Sequence, residues 1–180
     1  MASALKKLVK EPPTKDDINR AVKELNTDGV RGCAVLAHAL LEDMLRQCIL
    51  ANMTDLNKDE QDRLFVGSGP LSSFSSKIQL AYAFKIIGTK TRHDLDTIRE
   101  IRNAIAHTSL KIDFDTPEVA SLCAGLHCLN VAKESRDSNF TPRQKFVVAT
   151  KILMIHFIGR WDGAEATASR GIPSEFRDLG

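Results

Sequence analysis

The segment IREIRNAIAHTSL, residues 98–110, sets an arginine, an amide and a histidine close together on one predicted helix: Arg102, Asn103 and His107. An arginine holds a phosphate or carboxylate through two parallel hydrogen bonds. A histidine titrating near neutrality moves a proton to or from a hydroxyl or a leaving oxygen. Together these groups suffice for metal-free cleavage of RNA, whose 2′-hydroxyl is the nucleophile. One helix supplies few such groups, so a site of this kind needs a second subunit, and a homodimer that pairs the helix with its symmetry mate provides one. Each residue also has an ordinary structural use. His107 closes the helix, where its protonated form favours the negative end of the helix dipole. Arg102 suits an i,i+4 partner or a border residue with a buried stem, and Asn103 suits a solvated position.

The wheel of that helix separates two faces. Leu95, Ile98, Ile101 and Ile105 form the buried stripe, and Arg102 lies at its border. Asn103 and His107 are four apart on the polar flank, near Asp96, Arg99 and Glu100. The candidate binding surface is therefore Arg99, Arg102, Asn103 and His107. A carboxylate that pairs with Arg102 or orients His107 is sought on the long apolar helix, at Glu42 or Asp43. Glu42 fits better because it falls on the polar border one turn after His38, whereas Asp43 lies elsewhere on the wheel. Its alternative use is a solvent-facing acid near Arg46.

The elements that must carry these residues read as helices throughout, and no stretch alternates like a strand. After Pro12-Pro13, Thr14 caps KDDINRAVKELN. Gly29 and Gly32 open a long helix in which Cys33, Ala37, Leu40, Leu41, Met44 and Cys48 share one face, predicting a central core element. Asn57 and Glu60 make a capping box for a short helix ending near Val66. The connector GSGPLSSFSSK follows. Ser72 or Ser73 then starts a helix that runs to Gly88, and the helix of Arg102 comes next. Its serines, Lys77 and Tyr82 are assigned to structure rather than to a ligand. Thr116-Pro117 and Thr141-Pro142 open the last two helices. Short connectors between long amphipathic helices predict an all-α, up-and-down bundle of about four main helices with shorter ones attached. Residues 1–161 form one domain in this reading, and 162–180 a surface tail.

Composition narrows the function classes. The 180 residues are 43% apolar, ample for one core, and 25 basic against 23 acidic residues leave a net charge of +2 that demands no nucleic acid. The N-terminus is too short and charged for a secretory signal, and no apolar run reaches membrane-spanning length, so the expected compartment is the cytoplasm. Cys33, Cys48, Cys123 and Cys128 fall in apolar helix patterns and read as buried thiols. Cys123, His127 and Cys128 include zinc-ligand types, but not at the usual spacings; no metal or cofactor is expected. A helix-turn-helix over residues 58–84 fits poorly, since Arg63 stands where a small residue is needed and Pro70 with the serines lengthens the turn. Direct DNA binding is therefore disfavoured.

Two resemblances add to this reading. IRNAIAH resembles the Arg-polar-x3-His signature of HEPN domains, a helical superfamily that includes metal-independent ribonucleases and non-catalytic binding members. The resemblance implies that Arg102 and His107, with Asn103 beside them, line a cleft at a dimer interface. More broadly, RGCAVLAHALLEDML, LSSFSSKIQLAYAFKIIG, HDLDTIREIRNAIAHT and FDTPEV, within residues 30–130, together resemble the mannitol operon repressor family. That resemblance implies an all-helical regulator that represses carbohydrate uptake and utilisation genes without reading DNA, through a protein partner or an RNA; the first reading takes a protein partner and no turnover. The alternative is a HEPN-type metal-independent endoribonuclease or RNA-binding module that uses Arg102 and His107.

Overall fold

A 22-residue helix, Val30–Ala51, runs through the core of the computed structural model, which describes residues 14–107, 112–130 and 140–161. Cys33, Ala34, Ala37, Leu41, Met44, Leu45, Cys48 and Ile49 are buried along it. These side chains form one broad apolar face that several neighbouring helices share. In chain order the helices are α1 (Lys15–Thr27), α2 (Val30–Ala51), α3 (Lys58–Phe65), α4 (Phe74–Ala83), α5 (Thr89–His107), α6 (Pro117–Ala124) and α7 (Pro142–Trp161), with a 3₁₀ turn at His127–Asn130. Among the described residues there is no strand, and the fold is a helical bundle as expected. Helix α2 packs against α5 and α7. Helix α4 fills the side where α2 meets α5, while α1 lies against α2 and α7. All of them feed one hydrophobic cluster.

The helix starts follow their capping chemistry. Thr14 and Asp17 form a reciprocal capping box at α1, and Asn57 and Glu60 form another at α3. At α7, Thr141 Oγ1 accepts from Gln144 N at 3.2 Å while Thr141 N donates to Gln144 Oε1 at 2.9 Å. Thr116 departs from the expectation. Its side chain makes no cap bond to α6 and instead engages Asp113, accepting from that residue's N–H at 3.1 Å. Arg143 supplies a feature that local pattern does not announce: its guanidinium donates to the carbonyls of Leu25, at 2.8 Å, Asn26 and Asp28, holding the C-terminal end of α1 onto α7.

Helix α4 is shorter than its hydrophobic pattern predicts. It starts at the Ser73 cap, whose Oγ accepts from Ser76 N at 3.0 Å, but it stops at Ala83 rather than near Gly88. Ile86 N bonds Ala81 O at 2.8 Å and Lys85 N bonds Tyr82 O at 3.0 Å, the paired bonds of a Schellman stop. Lys85 takes the left-handed position at φ 58° that glycine usually fills. The stop folds Ile86 and Ile87 back into the core.

All four cysteines are buried and none is in a disulfide, as expected. No helix among the described residues is long and apolar enough to cross a membrane. The tail predicted from Asp162 onward lies outside the described residues.

Candidate functional site

The helix that carries the singled-out residues, α5, packs against α2 and α4. On α4, Phe74, Lys77, Ile78 and Ala81 are buried at helical spacing, so Lys77 occupies a core-facing position although it is charged. Its Nζ donates to Glu42 Oε1 of α2 at 2.7 Å and to the Ser72 carbonyl at 3.3 Å. One turn before Glu42, His38 places Nδ1 3.7 Å from Glu42 Oε2 and packs edge-on against the Phe74 ring, with centroids 4.7 Å apart. Glu42 is therefore not an isolated surface acid near Arg46; it pairs directly with Lys77. Asp43 points to the exposed side of α2.

The electrostatics of His38 tie this pair to α5. Burial holds its imidazole below the ordinary pKa, Glu42 pulls it back up, and Arg102, Arg99 and Lys77 push it further down. Lys77 on α4 and Arg99 and Arg102 on α5 thus all bear on the one imidazole of His38. Arg102 is half-buried at the border of the stripe, and one of its terminal nitrogens donates to Asn103 Oδ1 at 3.0 Å. Asn103 is exposed, as predicted. Arg99 lies 3.5 Å from Asp96 Oδ1, while its Nε is enclosed with no hydrogen bond among the described residues. His107 is the last residue of α5, and its side chain lies outside the described residues.

The structure thus brings together Glu42, Arg99 and Arg102, with Asn103 bonded to Arg102, and adds His38 and Lys77. Such a face suits an anionic ligand. A guanidinium held by its neighbours and partly desolvated binds carboxylate or phosphate more strongly than one waving in water. Lys77 escaped the sequence reading as a site residue, although a signal existed: a lysine on the buried stripe of a helix requires a carboxylate opposite it.

The model of the mannitol repressor family matches residues 15–155. This chain belongs to the mannitol repressor family. The match extends beyond the four resembling blocks to take in α1 and most of α7, and membership makes the chain a repressor-type regulator. No curated protein matches it. Among solved structures, the MtlR–HPr complex from Escherichia coli is similar at 21% identity and a TM-score of 0.64, over 78% of this chain and 97% of that one. A possible transcriptional regulator, YggD from Shigella flexneri, is similar at 13% identity and a TM-score of 0.62, over 83% of this chain and 98% of that one. At these identities the two neighbours establish a shared fold.

The zinc set Cys123, His127, Cys128 is not assembled. Cys128 is buried with Sγ directed to the Ala149 carbonyl, and Cys123 is buried with its thiol pushed up to about 12 by desolvation. His127 turns to Asp94 instead, 3.1 Å from its Oδ1.

Proposed function

We propose that this protein represses carbohydrate uptake and utilisation genes by capturing a protein partner on the α2–α4–α5 face, without itself reading DNA, and that the partner is an HPr-type protein. The observation that carries the reading is the clustering of Lys77, Arg99 and Arg102 near His38, with Lys77 Nζ held 2.7 Å from Glu42 Oε1. Arg99, 3.5 Å from Asp96, and the half-buried Arg102, bonded to Asn103, carry the positive charge of this face on α5. The complex of a like-folded protein with HPr supports the choice of partner. Residues 66–73 separate α3 from α4, a connector too long for the three- or four-residue turn of a DNA-reading helix pair.

The test is a reporter driven by mannitol-responsive genes in cells carrying this chain. Repression should be lost in the double variant Arg99→Glu, Arg102→Glu while the purified variant keeps wild-type helicity. Unchanged repression would remove the face from the account.

A second reading takes RNA as the ligand, in a homodimer that brings two copies of α5 together. Arg102 would hold a phosphate and His107 would move the proton. The Arg102–Asn103 bond, which orients the guanidinium, is the observation in its favour. End-labelled RNA incubated with the protein in EDTA, beside His107→Ala and with the oligomeric state measured by light scattering, distinguishes the two. Cleavage by the wild type alone selects RNA.

A further inference from the structure

On α5, Asp94 precedes Ile98, Ile101 and Ile105 at helical spacing, and its side chain is 1% exposed. A buried carboxylate must be satisfied. Oδ1 accepts from His127 N at 2.8 Å and Oδ2 from Cys128 N at 2.8 Å, so Asp94 caps the 3₁₀ turn that lies between α6 and α7. Those two bonds account for the burial of Asp94, but they do not account for the two imidazoles beside it. His127 Nδ1 lies 3.1 Å and His93 Nδ1 3.7 Å from the same Oδ1, and the rings stand edge to face with centroids 4.6 Å apart. His93 Nδ1 is also 3.5 Å from Thr97 Oγ1.

We propose that His93, Asp94 and His127 bind a divalent transition-metal ion, Zn²⁺ being the best fit, which fastens α5 to the 3₁₀ turn. Zinc bonds to histidine nitrogen and carboxylate oxygen are about 2.0–2.1 Å, so neighbouring ligand atoms on a tetrahedron stand about 3.3–3.4 Å apart. The 3.1 and 3.7 Å separations bracket that edge, and the ligand atoms of all three residues lie within 4.8 Å of one another. The remaining closure falls to His93, whose side chain is 56% exposed and can turn about its own bonds without disturbing the core.

The donor set is held ready. Backbone N–H groups fix the carboxylate from behind, the arrangement that orients metal ligands in built sites. The two imidazoles approach from the solvent side, which provides an entry path and leaves the fourth position to water. Metal binding through His127 Nδ1 requires the ring proton to sit on Nε2, so the direct Nδ1–Asp94 contact gives way to the two bonds to the ion, while both backbone bonds to Asp94 persist. Two nitrogens and one oxygen favour Zn²⁺ over Mg²⁺ or Ca²⁺, which take oxygen ligands.

The test titrates the purified full chain with Co²⁺ as a visible stand-in and with Zn²⁺ by calorimetry. Asp94→Asn endangers the fold because it disturbs the cap, so the informative variants are His93→Ala and His127→Gln, each first shown to melt like the wild type without metal. One equivalent of metal should bind the wild type, with visible cobalt bands of tetrahedral intensity. Affinity should fall at least about tenfold in either variant. Zn²⁺ should raise the melting temperature of the wild type and not of His93→Ala. The proposal is overturned if the wild type takes up no metal from micromolar solution. It is equally overturned if both variants bind as tightly as the wild type, or if the cobalt spectrum shows a thiolate charge-transfer band, which would place the ion on cysteine.

Discussion

Replacing Glu42 by alanine should damage this protein much more than replacing its partner Lys77 by methionine. Lys77 has a side chain only 5% exposed, and Glu42, 27% exposed, lies 2.7 Å from it. Removal of Glu42 leaves a buried ammonium with the Ser72 carbonyl at 3.3 Å and with Arg99 and Arg102 close enough to act on the same histidine. Breaking a fully buried pair by deleting one member costs about 3–5 kcal/mol. Because water reaches Glu42, the loss for Glu42→Ala is scaled down to about 2 kcal/mol, or about 4–8 °C in melting temperature for a chain of this size. Methionine at 77 keeps the apolar stem packed beside Phe74 and Ile78, and the stranded carboxylate can turn to water, so Lys77→Met should cost about 1 kcal/mol or less. Urea denaturation of the two variants measures the asymmetry. Equal costs, or a Glu42→Ala loss within the roughly 0.5 kcal/mol typical of surface substitutions, would refute the reasoning.

Three further outcomes are expected. His38 is held below its ordinary pKa of 6.5, mainly by burial, so as pH falls through that value the unfolded chain takes up the proton first and the native state loses stability. His38→Gln should flatten the decline of melting temperature between pH 7 and 5, and parallel declines would contradict the assignment. Lys85→Gly should stabilise the protein by about 0.5–1 kcal/mol, because glycine occupies the left-handed stop at φ 58° without steric cost; a destabilised variant in thermal melts would count against that origin. The thiols of Cys33, Cys123 and Cys128, whose pKa values burial raises, should resist an aromatic disulfide reagent in the native protein and react once urea unfolds it. Rapid native labelling would show that the core opens at those helices.

Much of the fold was legible in the sequence because the signals were local. The boundaries of α5, the capping boxes at Thr14 and Asn57 and the apolar face of α2 each follow from residues within a few positions of one another. The end of α4 was not, since the apolar run through Ile87 masks a stop that depends on a lysine adopting a glycine conformation. At the candidate site, wheel geometry picked out Arg99, Arg102, Asn103 and Glu42, but the pairing of Glu42 with Lys77 joins α2 to α4 across 35 positions and no local pattern reveals it. Lys77 and Asp94 both lie on buried stripes, a signal present in the sequence that the wheel reading did not use. What could not be read was the identity of the group opposite: a carboxylate for one, the backbone of a distant 3₁₀ turn for the other.

The central claim is that the α2–α4–α5 face captures an HPr-type partner through Arg99 and Arg102. Calorimetric titration of the purified chain with HPr from the same source, repeated with Arg102→Glu, tests it most directly. The account predicts saturable binding that weakens as salt rises and falls at least about tenfold in the variant, since reversing one charge at a polar interface costs more than 1.4 kcal/mol. Absence of binding, or an Arg102→Glu protein that binds as tightly as the wild type, would contradict it.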